Sequence, residues 1–360
     1  MPMNTSRVRP EINIDKYLAE FFFRETEEAF ARATVNAGGT REFFIELAGL
    51  KICLREAGDT LLPRLTATLA HLEIPRPASV DFTICCWDDE ATGADLPWPT
   101  RRMLDQAPYS CLTLLTNERF RAFCIEWLQI ISCFDMKSNT AYCCYTNADL
   151  LLMYEISAPL RSLFGAFLNR KGMHLVHASA IGTPNGSVLF AGPPGSGKST
   201  LAVLCLQDGL SYQSDDLCVL TSEKQPRSLS LYNIAKLRED ALPRFKALHP
   251  ILSHFQETEE KKAYFYVHQH FPRQVLKEAP VRALVLPCIW RHLTSRLEHV
   301  SAVEAAHSVI SWTVKEIPKS DRAGEKIMMQ AVARLPAHRL HLGGDDRKTL
   351  AVIRSLLDDS

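Results

Sequence analysis

Apolar residues along this chain fall in short runs, and their spacing predicts alternating strands and helices. Glu25 to Asn36 (ETEEAFARATVN) predicts a helix. Phe43 to Leu54 reads as a hairpin or two short strands about Gly49, and Val80 to Trp87 (VDFTICCW) as a strand. Leu61 to Leu72 has a helical period, with Pro63 near its start and Pro75 beyond its end. Further apolar segments cover 120–131 and 140–145. Ser157 to Asn169 then predicts a helix with Ser157 as its cap and Pro159 in its first turn. His174 to Ile181 predicts a strand, Thr183-Pro184-Asn185-Gly186 a turn, and 187–191 a second strand returning antiparallel. Residues 210–220 are strand-like around two acids, Ser230 to Arg238 holds another short strand, and Val281 to Ile289 another. Helices are expected over 302–314, 326–335 and 348–357, with a short strand over 339–342. In the turn Gly343-Gly344-Asp345-Asp346, one aspartate reads as a helix cap. The pattern divides near residues 150–160, giving an α+β domain over 1–155 and a second, α/β domain over 156–360.

One junction in this pattern carries chemistry. The strand Val188-Leu189-Phe190-Ala191 runs into Gly192-Pro193-Pro194-Gly195-Ser196-Gly197-Lys198-Ser199, which fits G-x-x-x-x-G-K-[ST]. Lys198 to Gln207, with Thr200 in its first turn, reads as the helix leaving it, and Gly209 as its stop. Glycines at 192, 195 and 197 let the backbone turn successive N–H groups inward, making a concave site for anionic phosphate. Lys198 can reach the β- and γ-phosphates, and Ser199 can place its hydroxyl on Mg²⁺.

The acids follow one strand later, at Asp215-Asp216. Beside a phosphate loop, one carboxylate can bind Mg²⁺ and the other can take the proton of an attacking hydroxyl. Adjacent carboxylates repel and invite a cation beside them. His177, one hairpin upstream, reads either as a core residue or as a group that lines the cleft and assists proton transfer; His174 reads as structural. Lys236 and Arg238 are candidates to offset charge on the transferring phosphoryl group. His268 and His270 share one face of an expected strand, a metal-like spacing without a third ligand, which favours a cleft or surface role. Asp88-Asp89-Glu90 reads as a solvated turn before Gly93.

Composition narrows the setting. At 360 residues the chain is long enough for two domains of ~100–200 residues. Lys and Arg total 41, matching 41 Asp and Glu, which excludes bulk electrostatic attraction to nucleic acid or an anionic membrane. No apolar run approaches the ~20 residues of a membrane span, and the first residues lack a signal-peptide core, so a cytoplasmic setting is expected. Eleven cysteines, an odd number, include the doublets Cys85-Cys86 and Cys143-Cys144 but no C-x-x-C pair. Neighbours on a strand face opposite ways, so the doublets read as core and not as chelators or disulfides.

The segment from His177 to Asp216 resembles the catalytic domain of HPr kinase/phosphorylase in the order and spacing of His177, Lys198, Gly209 and Asp215-Asp216. With Ser230 to Arg238 added, it is also similar to the HPr-kinase-like serine kinases of lasso-peptide clusters. The resemblance is strong over 170–240, looser over 240–360, and says little of 1–150. It implies an α/β P-loop kinase domain of the HPr kinase and phosphoenolpyruvate carboxykinase type, behind a smaller α+β domain. It implies an ATP-dependent kinase that uses Mg²⁺ and phosphorylates a hydroxyl, foremost a serine on a peptide or small protein. Gly192 to Thr200 would hold the nucleotide, and Ser199 with Asp216 the metal. Asp215, Asp216, His177 and Lys198 would act in transfer, with Lys236 and Arg238 offsetting charge. Thr200 stands where the family has glutamate, and the family's second glycine-rich signature has no counterpart, so the phosphorylase direction does not carry over. The different N-terminal region argues against HPr itself as acceptor. GTP or diphosphate as donor, a small-molecule acceptor and a homo-oligomer stay open. So does the other class of function, a nucleotide-binding regulatory or assembly protein with little phosphotransfer.

Overall fold

The computed structural model describes residues 14–96, 115–254, 262–290, 292–317 and 322–358. Helix α1 (Ile14–Asn36) precedes a six-stranded sheet. Strands β1 (Thr40–Leu47) and β2 (Leu50–Ala57) form the hairpin expected about Gly49, where φ is 79°. They are followed by β3 (Phe82–Asp88), β4 (Phe120–Ile125), β5 (Ile130–Asp135) and β6 (Thr140–Tyr145), in the order β1-β2-β3-β6-β5-β4. Strand β3 runs parallel to both β2 and β6.

Alternation along these strands sends side chains to two different cores. Cys85, Trp87 and Cys144 pack with Phe22, Ala29 and Phe30 of α1. Ile84, Cys86 and Cys143 pack on the other side, with Phe164 and Phe167 of α2 (Arg161–Asn169) and with Val219 and Leu231 from further along the chain. The cysteine doublets therefore straddle the sheet as expected. All ten described cysteines are free, and Cys111 lies outside the described residues.

The second sheet follows from β7 (Met173–Val176), β8 (Ala178–Thr183), β9 (Gly186–Ala191), helix α3 (Lys198–Gln207), β10 (Ser211–Ser214), β11 (Cys218–Thr221) and β12 (Arg227–Leu229). Strands β13 (Ile234–Arg238), β14 (Ser253–His254) and β15 (Lys262–Tyr266) form a small separate sheet. The chain ends with β16 (Glu278–Ile289), β17 (Arg296–His299), α4 (Ala302–Glu316), α5 (Arg322–Val332), β18 (Ala337–Leu342) and α6 (Asp346–Asp358). Strand β9 lies between antiparallel β8 and parallel β16, and β16 is parallel to β18 on its other side. Asp345 caps α6 as expected, accepting from the N–H groups of Arg347 and Lys348 at 3.0 and 3.3 Å. No described helix is long and apolar enough to cross a membrane.

Five expectations are corrected. The helical period of 61–72 yields only the turns Leu62–Leu65 and Ala70–Leu72. The buried Glu56 carboxylate takes the N–H groups of Leu61 and Leu62 at 2.6 and 2.8 Å, which fixes a turn there. Ser157 ends a short helix, Met153–Ser157, and caps nothing downstream. Pro159 cannot donate, Leu160 takes a left-handed φ of 57°, and its N–H goes to Glu155, so α2 starts only at Arg161. The expected strand 174–181 is two strands, broken at His177. Val267–His270 is a helical turn, so His268 and His270 do not share a strand face. Asp88 and Asp89 are buried rather than solvated, and Asp88 Oδ1 caps the turn Asp89–Thr92.

Candidate active site

Backbone pairing brings the sequence motifs together. Strand β8 pairs with β10 and β7 with β11, with Ala180 opposite Ser214 and Val176 opposite Cys218. The break at His177 therefore faces the break at Asp215-Asp216. At the second break Asp216 is left-handed, with φ of 67°, and Leu217 N–H closes a tight turn onto the Asp215 carbonyl at 2.9 Å. A non-glycine residue there costs ~1–3 kcal/mol and persists only where its surroundings enforce it.

Beside these breaks, β9 ends and the glycine loop begins. Gly195 and Gly197 have φ of 79° and 104°. At Gly197 the φ of 104° is one that L side chains rarely adopt, so glycine is favoured there, and an added Cβ would also have to displace Leu342 Cδ1, 2.7 Å away. Helix α3 starts at Lys198 without a side-chain cap, leaving first-turn N–H groups as donors at the loop. The buried Lys198 ammonium folds onto the loop, donating to the carbonyls of Gly192 and Pro193 at 2.8 and 3.1 Å. Ser196 Oγ is buried and has no hydrogen-bond partner.

Asp215 is the centre of the arrangement and is 2% exposed. Its Oδ1 accepts from Ser179 Oγ at 2.6 Å, Ser199 Oγ at 2.9 Å and Asp216 N–H at 3.0 Å. Its Oδ2 accepts from Lys236 N–H at 3.3 Å. Burial, then the neighbouring Asp216 charge, push its pKa above the usual carboxylate value, against the pull of Lys236 and the two serines. Asp216 carries an ion pair to the Lys236 ammonium and keeps 34% of its side chain exposed. Burial opposes its charge, but Lys236 and then His177 outweigh it and hold the carboxyl well below the usual range.

His177 is buried, and neither ring nitrogen has a hydrogen-bond partner. Its position comes from the backbone, whose N–H donates to Thr313 Oγ1 on α4 at 2.9 Å. Burial pushes its pKa down to about 4; Asp216 pulls up, while Lys198, Lys236 and Arg161 push down. The ring is therefore neutral at pH 7. His174 is held apart from this group by Asn169, at 2.8 Å from Nδ1 to Oδ1.

The structure thus gathers His177, Lys198, Ser199, Asp215, Asp216 and Lys236, with Gly192 to Gly197 and Thr200 alongside. Two expected pairings change. Ser199 meets Asp215 and not Asp216, because Asp215 Oδ1 faces α3 while the Asp216 carboxylate is drawn to the Lys236 ammonium. Arg238 does not join the group; it is 60% exposed and paired with Asp240 at 3.4 Å. Two contributors were missed. Ser179 is a polar residue in an apolar strand two positions after His177, a signal that was there to read. Thr313 lies 136 positions from its partner and carries no sequence signal.

No protein family and no curated protein matches the chain. Among solved structures it is similar to the Hpr(Ser) kinase/phosphatase from Coxiella burnetii, at 13% identity and a TM-score of 0.27, over 52% of this chain and 99% of that one. At that score the functional reading rests on the site's own geometry.

Proposed function

We propose that this protein is an ATP-dependent kinase that passes the γ-phosphate to a hydroxyl, foremost a serine on a peptide or small protein. The observation that carries the reading is the meeting of Ser199 and Asp215 at the mouth of the glycine loop, beside an ionised Asp216. The loop N–H groups and Lys198 bind the triphosphate; Lys198 exchanges the carbonyls of Gly192 and Pro193 for phosphate oxygens. Ser199 and Asp215 suit Mg²⁺, since Asp215 is a buried carboxylate whose side-chain partners are hydroxyls. When bound, the ion would neutralise charge on the β- and γ-oxygens.

Asp216 orients the acceptor hydroxyl and takes its hydrogen. A carboxylate held this acidic is a weak base, but phosphoryl transfer is loose, and alignment matters more than proton affinity until late in the reaction. Lys236 can leave Asp216 for the phosphoryl oxygens, which raises the basicity of Asp216 as the substrates assemble. His177 stays neutral and offers an unpartnered nitrogen to the same space. A serine acceptor rests on the sequence resemblance.

The test is transfer from γ-labelled ATP and Mg²⁺ to a library of serine peptides, with isothermal titration of ATP alongside. Mg²⁺-dependent transfer, lost in Asp216→Asn with ATP still bound, supports the reading. ATP binding without transfer to any peptide, small hydroxyl compound or water refutes it in favour of a regulatory nucleotide-binding protein.

A further inference from the structure

A cavity of about 560 Å³ lies away from the glycine loop, between the β4–β5 edge of the first sheet, helix α2, strand β7 and helices α4 and α5. That volume suits a small organic ligand. Ala122, Phe123, Met136, Leu175, Ile317 and Met328 give it apolar walls. It reaches the surface at Glu118 and Ile327, which are exposed.

Its inner end is polar. Ser162 and His174 line it, are 7% and 2% exposed, and leave Ser162 Oγ and His174 Nε2 without a hydrogen-bond partner. Buried polar atoms are nearly always satisfied, so two orphans at the end of one apolar chamber point to an occupant. The chemistry can be narrowed. With the Asn169 carboxamide oxygen as its partner, His174 Nδ1 carries the hydrogen, and Nε2 presents a lone pair. Burial pushes the His174 pKa down to about 4, so the ring does not become a cation near neutral pH. At the sides, Arg121 donates to the Phe120 carbonyl at 3.1 Å and Arg170 to Asn139 at 2.8 Å, each through one nitrogen, so benzoate is the probe that tests whether either holds an anion.

We propose that this cavity binds a small neutral molecule with an apolar body and a hydroxyl or N–H group that donates to His174 Nε2. Thr313 also lines the cavity, and its hydroxyl is the group that accepts the His177 N–H, so an occupant sits one residue from the candidate active site.

The test uses full-length protein and three probes, benzyl alcohol, toluene and benzoate, titrated by saturation-transfer NMR. The expected result is benzyl alcohol bound about tenfold more tightly than toluene, the effect of one satisfied buried hydrogen bond, with benzoate weaker than benzyl alcohol. His174→Phe should bring benzyl alcohol to the toluene level. Ala166→Phe, which fills the chamber from α2, should abolish binding of every probe, with circular dichroism confirming that the chain is folded. Equal binding of toluene and benzyl alcohol by the wild type, no binding of any probe, or unchanged binding by folded Ala166→Phe would each overturn the proposal. The wild-type comparison decides the matter even if both variants fail to fold. No arm depends on phosphotransfer, so failure here and failure of the kinase reading are separate results.

Discussion

Asp88-Asp89 stands at the end of β3 in the first sheet, and Asp215-Asp216 follows β10 in the second. The first acid of each pair is almost fully buried. Asp88 takes the backbone N–H groups of Ala91 at 2.9 Å and Ala148 at 2.7 Å, tying together two turns, with the Thr60 hydroxyl only at the long distance of 3.5 Å. Asp215 also takes two backbone N–H groups, but adds the hydroxyls of Ser179 and Ser199. Around it stand a neutral histidine with no ring partner, an ammonium folded onto loop carbonyls, and a second acid in a left-handed turn. The same dipeptide is structural where its short hydrogen bonds go to the backbone. It becomes a candidate for chemistry where its partners can rotate away to meet a ligand.

The largest expected effect separates the two pairs directly. Asp216→Asn should lower the rate of phosphate transfer by roughly 10²–10⁴-fold, the size of a lost general base, measured on folded protein because the change also strips Lys236 of its ion pair. If Asp88→Asn lowers transfer by as much at matched stability, the distinction fails. The complementary substitution, Asp88→Ala, removes a cap and leaves buried N–H groups unpaired. It should cost about 1–3 kcal/mol in urea unfolding while folded protein keeps its turnover.

Acid sharpens the comparison next. Burial pushes His177 and His174 down to about 4 and His71, which faces Ser230, down to about 3; His268 adds to the last. The unfolded chain takes up protons near pH 6.5 and the folded chain only near pH 4 or below. Stability from these rings is therefore complete above pH 6.5 and lost as pH falls through 4, on the order of 3 kcal/mol each at about 1.4 kcal/mol per pKa unit. The low pKa of Asp216 acts in the same direction, and the raised pKa of Asp215 opposes it. Thermal melts from pH 7 to 4 should show the fall, and His177→Gln should flatten it in part. A flat profile in the wild type would mean that these rings are not buried neutral.

The smallest effect concerns the two basic residues of β13. Arg238→Ala should change stability and transfer little, within about 0.5 kcal/mol, as an exposed ion pair implies. Lys236→Ala should slow transfer measurably, since its ammonium sits on Asp216. Equal effects of the two would remove Lys236 from the site.

Much of this was legible in the chain. The glycine loop, its feeding strand and the bounds Lys198–Gln207 of α3 are local, because glycine at positive φ and a helix start depend on neighbours in sequence. The hairpin about Gly49 and the two-sided cysteine doublets follow from the same short-range alternation. The 61–72 segment misled because Glu56, a residue outside it, takes its first N–H groups. His268 and His270 misled because apolar alternation in Tyr264 to Val267 continues into a helical turn.

By itself, then, the sequence determined the candidate groups: a glycine loop of the G-x-x-x-x-G-K-[ST] pattern, an acid pair and the histidine that precedes them, each set by residue type and near-neighbour spacing. Tertiary structure alone decided which acid meets Ser199, that Lys236 and not Arg238 joins the group, and that Thr313 fixes His177. Those contacts arise where β7 with β8 and β10 with β11 break at the same level, and where α4 returns from more than a hundred residues away. Register and long-range packing set them, and neither is written in any short window of the chain.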